Sequence, residues 1–345
     1  MKDLTAIIKP NILAMEPYSS ARDEYTGKEG IFLDANETPH SFDFARYPDP
    51  YQYDLKKKIS TVRAIPVEQI FLGNGSDEII DLLIRTTCLA DDRILTLDPS
   101  YGMYKVSAAI NDTAIDLAPL DSDFNVLEDS LFQQLTEKHK LVFICSPNNP
   151  NGGTVSKHFV EKLLKKCDGL VIIDEAYIDF SDTESFCSWV GLYPNLVVLQ
   201  TFSKSWAGAG LRIGMAYASE WLVQILNKVK PPYNISAPSQ KLALERLNDM
   251  GALQQSIKLI IEQRAYLSAE LIKLDNVQRV YPSEANFLLV KFQNADDVMT
   301  YLQNSNIIVR NRSNQHQCKN TLRISVGTAP QNKILLTKLK DYRHE

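Results

Sequence analysis

The strongest constraint on the fold is a run of apolar residues that no polar residue interrupts. Leu141–Cys145 has this character and stops at a loop rich in proline, asparagine and glycine over residues 146–153. Such runs are typical of parallel strands that are covered on both faces. Leu170–Ile173 and Leu196–Leu199 have the same form and also lead into polar residues. The sequence therefore predicts an α/β chain built on buried parallel strands.

The strand at Leu196–Leu199 runs into residues 201–212, where Lys204 lies among hydroxyls, glycines and an arginine. Ser203 supplies a hydroxyl donor, and the glycines allow backbone to approach a ligand closely. Arg212 supplies a planar fork suited to phosphate. A lysine at a strand end is ordinarily a solvated charge. These neighbours instead favour an amine that forms a Schiff base with a phosphate-bearing aldehyde.

A second candidate for phosphate binding lies earlier in the chain. The apolar run Ile70–Leu72 ends in glycines, and an amphipathic segment follows from Ile79 to Leu89. A strand, a glycine turn and a helix start leave free backbone N–H groups at the positive end of a helix, around Ser76 and Asp77. On the plainer interpretation, Asp77 is an ordinary acid in the first turn of a helix.

Together these segments resemble the pyridoxal-phosphate aminotransferases, the family that shares the fold of aspartate aminotransferase. Residues 146–153 are similar to the S-P-N-N-P-T-G loop of that family, with Asn151 in place of threonine. The resemblance implies the α/β PLP-dependent transferase fold (fold type I), with a mostly parallel mixed sheet in a large domain and a smaller α+β domain. We expect an arm at 1–30, the large PLP-binding domain at 31–238, and the small domain with a long connecting helix at 239–345.

The same resemblance implies a cofactor site for pyridoxal 5′-phosphate. Lys204 would hold the cofactor and move the substrate proton, Asp174 would face the pyridine nitrogen, and Tyr101 would stack on the ring. Asn149 and Tyr177 would contact the ring oxygen. The residues expected to hold the cofactor phosphate are Ser76, Asp77, Ser203, Arg212 and, from a second subunit, Tyr47.

Several segments resemble one branch of the family, the histidinol-phosphate aminotransferases. They are the stretch after Pro17 that contains Tyr18, the Tyr47-Pro48 pair and residues 231–236. The resemblance implies transamination between L-histidinol phosphate and 2-oxoglutarate in histidine biosynthesis. It also implies a homodimer with a shared active site, because Tyr47 would reach the partner's cofactor.

Arginines near the end of the chain are the candidate substrate ligands. Arg323 interrupts an otherwise apolar strand, and a buried charge without a partner is costly, so Arg323 needs an anion. In the family, the matching arginine takes the amino-acid carboxylate. Arg310 matches an arginine that binds the substrate phosphate together with Tyr18. Arg312 lies two residues further on, so the sequence leaves the register of Arg310 open.

Composition argues against several other classes of protein. The 37 basic and 42 acidic residues give a formal net charge of -5 without a long basic run, which argues against nucleic acid. No stretch approaches the roughly 20 apolar residues of a membrane span. The five cysteines form no CxxC pair and the five histidines show no ligand spacing, so we expect no disulfide framework and no metal. A cytoplasmic location is the default expectation.

Rival functions remain open from the sequence alone. The nearest are other enzymes of the same fold, namely an aromatic or aspartate aminotransferase or a threonine-phosphate decarboxylase. A non-catalytic regulator that kept the fold would be expected to carry an added DNA-binding segment. A plain phosphate-binding module would explain the glycine turn, but it predicts a protein without visible colour.

Overall fold

The computed structural model describes residues 4–18, 30–40 and 42–342. Its central sheet contains β1 (Ile70–Gly73), β2 (Arg93–Asp98), β3 (Ala114–Pro119), β4 (His139–Cys145), β5 (Leu170–Asp174), β6 (Leu196–Thr201) and β7 (Gly214–Tyr217). The order across this sheet is β1-β7-β6-β5-β4-β2-β3. Neighbouring strands are parallel, except that β7 runs antiparallel to both β1 and β6. This is the mostly parallel mixed sheet that the predicted fold class requires.

The central strands are buried on both faces of the sheet. In β4, Val142 and Ile144 join the apolar core on one face, whereas Phe143 and Cys145 join the core on the other. Alternate side chains of a strand point to opposite faces, so a strand covered twice needs apolar residues at every position. This double burial explains the unbroken apolar runs in the sequence.

Helices cover the faces of this sheet. They are α1 (Pro10–Ala14), α2 (Tyr53–Arg63), α3 (Ser76–Thr87), α4 (Met103–Ile110), α5 (Glu128–Gln134), α6 (Lys157–Lys166) and α7 (Glu220–Val229). Short 3₁₀ helices lie at Thr5–Ile7, Val67–Gln69, Ile178–Phe180, Phe186–Trp189 and Ala209–Leu211. The helix α3 begins directly after the glycine turn that follows β1, so its N-terminus faces the edge where β4, β5 and β6 also end.

A second, antiparallel sheet lies in the C-terminal part. Its strands are β8 (Val277–Val280), β9 (Phe287–Phe292), β10 (Arg310–Asn311) and β11 (Thr321–Ser325), in the order β10-β11-β9-β8. Helix α8 (Ala237–Leu247) packs on α2 and joins the core of the central sheet. The helices that accompany the second sheet are α9 (Met250–Leu271), α10 (Ala295–Asn304) and α11 (Ala329–Asp341). This sheet has an apolar core of its own, formed with α9, α10 and α11. The domain boundary after residue 238 stays a prediction.

Two local expectations differ from the structure. The predicted long helix over 239–274 is divided into α8 and α9, because Asp249 caps the start of α9 by accepting a hydrogen bond from the Ala252 N–H at 3.1 Å. The sequence of Ile31–Glu37 also predicts a short strand that enters a turn, but no strand forms there, and Asn36 has a left-handed φ of 55°. That conformation interrupts the extended backbone that a strand needs.

The described part of the chain contains no candidate membrane span and no candidate metal cluster. None of its helices is long and apolar enough to cross a membrane. None of its His, Cys, Asp and Glu side chains gather into a set of three that could hold a metal. The five cysteines are buried free thiols.

Candidate active site

Most of the predicted site residues lie at the carboxyl ends of strands in the central sheet. Ser76 follows β1, Tyr101 follows β2, Asn149 follows β4, Asp174 ends β5, and Lys204 follows β6. Neighbouring parallel strands bring their carboxyl ends to one edge of a sheet, which is where ligands bind in open α/β folds. The topology therefore collects residues that are far apart in the sequence.

A cavity of about 160 Å³ opens at this edge. Its lining includes eight of the residues predicted to bind the cofactor: Ser76, Asp77, Tyr101, Asp174, Tyr177, Ser203, Lys204 and Arg212. A larger depression of about 410 Å³ beside Lys56 and Glu68 contains none of the predicted site residues. Cavity volume alone therefore does not identify the site, whereas the set of predicted cofactor ligands in its lining does.

Asp174 is a fully buried carboxylate in the cavity wall. The Tyr104 hydroxyl donates to its Oδ2 at 2.7 Å, and the Ala176 N–H donates to its Oδ1 at 3.2 Å. Burial raises the pKa of Asp174, while these hydrogen bonds and the charge of Lys204 oppose the rise. Among the described residues, no cation forms an ion pair with it. Such a carboxylate suits a ligand that brings a positive charge.

Lys204 carries the amine of the site. Its Nζ lies 5.6 Å from the centre of the Tyr177 ring. Burial lowers the pKa of Lys204, and the positive charge of Arg323 lowers it further, while Asp174 and Asp77 act in the opposite direction. A lowered pKa increases the neutral fraction of an amine near pH 7, and the neutral amine is the nucleophile and the base.

The loop that carries Lys204 is anchored by a largely buried ion pair. Asp179 accepts two hydrogen bonds from Arg63, at 2.8 and 2.9 Å, and one from the Ser205 hydroxyl at 2.5 Å. The Arg63 guanidinium lies 4.8 Å from the centre of the Trp206 ring. These contacts hold both residues that follow Lys204, and so they restrict where its amine can lie.

The expected phosphate cradle is present at the start of α3. Gly75 has a φ of 80°, and a Cβ placed on it would lie 2.5 Å from a guanidinium nitrogen of Arg212. Glycine at this position therefore lets Arg212 lie against the helix N-terminus, 3.6 Å from the Asp77 carboxylate. The N-terminal N–H groups of α3 and this guanidinium form a site suited to an anion.

Three predicted residues form a chain of hydrogen bonds from the first sheet to the second. The Arg323 guanidinium donates to Asn149 Oδ1 at 2.7 Å, and Asn149 Nδ2 donates to the Tyr177 hydroxyl at 3.4 Å. Burial raises the pKa of Tyr177, which keeps the phenol protonated. The chain ties an arginine of β11 to the wall of the cavity.

Five predicted residues are not part of the cavity lining: Asn149 and Arg323, which are linked to it through Tyr177, and Tyr47, Tyr18 and Arg310. Tyr47 is half-exposed and stacks on Tyr233 at a centroid distance of 4.4 Å. Tyr18 is exposed. Arg310 is exposed on β10, where it pairs in register with Arg323. The roles of these last three residues, and the choice between Arg310 and Arg312 that the sequence left open, stay predictions.

Sequence reasoning assigned no role to Tyr104, Arg63 or Asp179. Tyr104 lies three residues after Tyr101, and Asp179 lies two residues after Tyr177. The only signal was therefore proximity in the sequence to a predicted site residue. Arg63 had no such signal, because 116 residues separate it from Asp179.

The assembled groups fit pyridoxal 5′-phosphate, the cofactor that the resemblance implies. A buried carboxylate without a cation matches a protonated ring nitrogen, and an amine of lowered pKa matches an aldehyde. The helix N-terminus beside a guanidinium matches a phosphate monoester. Each feature is an observation on this chain, and together they describe one elongated ligand.

Comparison with known proteins extends these observations. The family model "Aminotransferase class I and II" matches residues 33–339. A histidinol-phosphate aminotransferase from Cytophaga hutchinsonii is 48% identical over 344 residues, covering 98% of this chain and 99% of the relative.

Solved structures are also similar. The histidinol-phosphate aminotransferase from Clostridium acetobutylicum has a TM-score of 0.80 at 26% identity, covering 87% of this chain and 91% of that one. A histidinol-phosphate aminotransferase from Sinorhizobium meliloti, in complex with pyridoxal-5′-phosphate, has a TM-score of 0.79 at 21% identity. That match covers 87% of this chain and 83% of the other. At this level of identity, the second likeness bears on the fold.

Proposed function

Since this chain belongs to the family of class I and II aminotransferases, we propose that it transfers an amino group from L-histidinol phosphate to 2-oxoglutarate. The products are imidazole-acetol phosphate and glutamate, and the reaction belongs to histidine biosynthesis. The observation that carries the substrate assignment is the 48% identity, over 98% of the chain, to a relative of that name. The family and fold predicted from the motifs are confirmed.

The cofactor is pyridoxal 5′-phosphate, which when bound supplies an electron-accepting ring that stabilises the charge left by deprotonation of the substrate Cα. Asp174 would accept a hydrogen bond from its ring N–H, and Tyr177 and Asn149 would donate to its ring oxygen. The residues that would hold its phosphate are Ser76 and Asp77 through backbone N–H groups, Ser203 and Arg212.

Lys204 is the proposed general base and acid. Burial and the charge of Arg323 lower the pKa of its amine, so a larger neutral fraction is present near pH 7 than for an exposed lysine. The neutral Nζ accepts the proton from the Cα of the amino donor. In the second half-reaction, the ammonium form returns a proton to the Cα of the product amino acid.

Arg323 is the proposed ligand for the carboxylate of glutamate. Its planar fork suits bidentate contact with a carboxylate, and its bond to Asn149 orients it toward the cavity. Arg310 and Tyr18 are the proposed ligands for the phosphate of the second substrate. Arg310 is supported by its position opposite Arg323 on the antiparallel sheet.

We further propose a homodimer in which Tyr47 reaches the cofactor phosphate of the other subunit. The position of Tyr47 outside the cavity of its own chain, where it stacks on Tyr233, is compatible with that role. Light scattering measures the oligomeric state. Tyr47→Phe should weaken cofactor retention, and a monomer with full activity would contradict the proposal.

A panel of amino donors tests the substrate assignment. The holoenzyme is assayed with L-histidinol phosphate, L-histidinol, phenylalanine and aspartate, each with 2-oxoglutarate as acceptor. We expect the highest kcat/KM for L-histidinol phosphate. Equal or better turnover of a donor without phosphate would reject the assignment in favour of another aminotransferase. Release of carbon dioxide from threonine phosphate would instead indicate a decarboxylase.

A further inference from the structure

A third arginine shares the face of the antiparallel sheet that carries Arg310 and Arg323. Arg310 pairs directly with Arg323 across the two strands, and the Arg312 N–H continues the ladder by donating to the Thr321 carbonyl at 3.0 Å. Residues two apart on a strand point to the same face, and paired residues share a face as well. All three guanidinium groups therefore belong to one side of the sheet.

These arginines lack acidic partners within the described residues. None of them forms an ion pair there, and the hydrogen bond of Arg323 goes to the neutral amide of Asn149. The Nε of Arg312 is buried and has no acceptor. Burial of a charged donor without a partner is costly. The arrangement is therefore incomplete without an anion.

The register with β11 places Arg312 near the site, because Arg323, which lies opposite Arg310, donates to Asn149 at 2.7 Å. Burial, together with the positive charges of Arg323 and Arg310, lowers the pKa of Arg312 to about 10. The phenol of Tyr177, which lines the cavity, also acts on this pKa. The positive charges of Arg310, Arg312 and Arg323 repel one another, yet the three side chains share one face of the sheet beside the proposed reaction centre.

We propose that Arg312 binds the phosphate group of the phosphorylated amino donor and so selects a phosphate monoester over a carboxylate. This inference rests on the proposed function. A carboxylate has two oxygens and is matched by the fork of a single arginine. A phosphate monoester carries up to two charges on three terminal oxygens, and these can accept from further guanidinium groups. Arg310, Arg312 and Arg323 together provide that larger set of donors.

The test uses Arg312→Gln, Arg312→Lys and a matched control, Lys319→Gln, all as holoenzymes. Lys319 is an exposed cation in the loop that joins β10 and β11, so its replacement changes the net charge by the same amount. The kinetic constants are measured for L-histidinol phosphate and, separately, for glutamate. Binding of inorganic phosphate is measured by calorimetry, which does not depend on turnover.

We expect Arg312→Gln to lower kcat/KM for L-histidinol phosphate by about 10- to 100-fold, the range for a hydrogen bond to a charged group. Most of this loss should be in KM. Turnover of glutamate should change less than about twofold, because the fork of Arg323 alone matches its carboxylate. Inorganic phosphate should bind more weakly, Arg312→Lys should recover part of the loss, and Lys319→Gln should match the wild type.

Failure of this inference can be distinguished from failure of the proposed function. An equal loss with both amino donors would assign Arg312 a structural role, and unchanged constants would show that it makes no contact with the phosphate; either result overturns the inference. If the wild type does not use L-histidinol phosphate, the proposed function fails. In that case the calorimetric comparison of wild type and Arg312→Gln still decides whether Arg312 binds phosphate.

Discussion

The two sheets contribute to the site in opposite ways. At the edge of the central sheet, the polar groups have partners within the chain: Asp174 is bonded to Tyr104, and Asp179 is bonded to Arg63. On the antiparallel sheet, Arg310 and Arg312 form no ion pairs with the described residues. One region is organised before a ligand arrives, and the other is complementary to an anion that a substrate must bring.

This difference suggests that the two regions bind different ligands, the cofactor at the central sheet and the substrate anions at the antiparallel sheet. The cofactor is the same in every turnover, so preformed hydrogen bonds can hold its partners in fixed positions without reorganisation. The substrates alternate between a dicarboxylate and a phosphate monoester. The arginine face can accept either anion, because Arg323 is shared by both while Arg310 and Arg312 add donors for the phosphate.

Removal of the amine should have the largest effect, because Lys204 lies between the two regions and responds to charges from both. We expect Lys204→Ala to lower kcat by at least about 10⁴-fold, since general acid–base catalysis alone contributes roughly 10² to 10⁴. Borohydride should attach the cofactor to Lys204 in the wild type and not in the variant. Lys57→Ala, at an exposed position of α2, is the control. Normal turnover by Lys204→Ala would end the assignment.

The next largest effect concerns the hydrogen-bonded edge of the central sheet and is measured as a change in the free energy of unfolding. Asp179→Asn leaves the Arg63 guanidinium largely buried without its carboxylate, which should cost about 3–5 kcal/mol of unfolding free energy. Urea denaturation with cofactor bound measures the change. Glu184→Gln breaks the exposed pair with Lys157 and should have no measurable effect. Similar stabilities for both variants would show that the Lys204 loop does not depend on the buried pair.

The arginine face should respond in a way that depends on the substrate. Arg310→Gln is expected to lower kcat/KM by about 10- to 100-fold for L-histidinol phosphate only, the range for a charged hydrogen bond. Arg323→Gln should lower kcat/KM for both L-histidinol phosphate and glutamate. If Arg310→Gln lowered kcat/KM equally for both amino donors, the proposed difference between the arginine face, which binds alternating substrates, and the cofactor site would be wrong.

The smallest expected effect concerns the hydrogen bond between Tyr104 and Asp174. Tyr104→Phe should lower kcat by about 10-fold, the worth of roughly 1.4 kcal/mol. Burial raises the pKa of Asp174 and the Tyr104 hydroxyl opposes that rise, so loss of the hydroxyl raises the pKa further. Less carboxylate is then ionised at low pH, and the acidic limb of the kcat/KM profile moves to higher pH. An unchanged limb would show that Tyr104 does not tune Asp174.

The central elements could be predicted because their physical causes are local. The double burial of β4, β5 and β6 leaves unbroken apolar runs, and the loops after them contain the residues that later line the cavity. The break between α8 and α9 was missed, since a single capping aspartate, Asp249, decides it against helical periodicity. The strand at residues 31–37 was predicted wrongly, because an extended sequence pattern does not supply a pairing partner.

By itself, the sequence indicated the buried strands β4, β5 and β6, the glycine turn after β1, and the motifs that resemble the family. These follow from periodicity and from residue types that are adjacent in the chain. Only the tertiary structure decided that Tyr104 reaches Asp174 across 70 residues, that Arg63 holds the Lys204 loop, and that Arg312 shares a face with Arg323. Contacts between distant residues depend on how elements pack and register, and that packing leaves no periodic mark in the sequence.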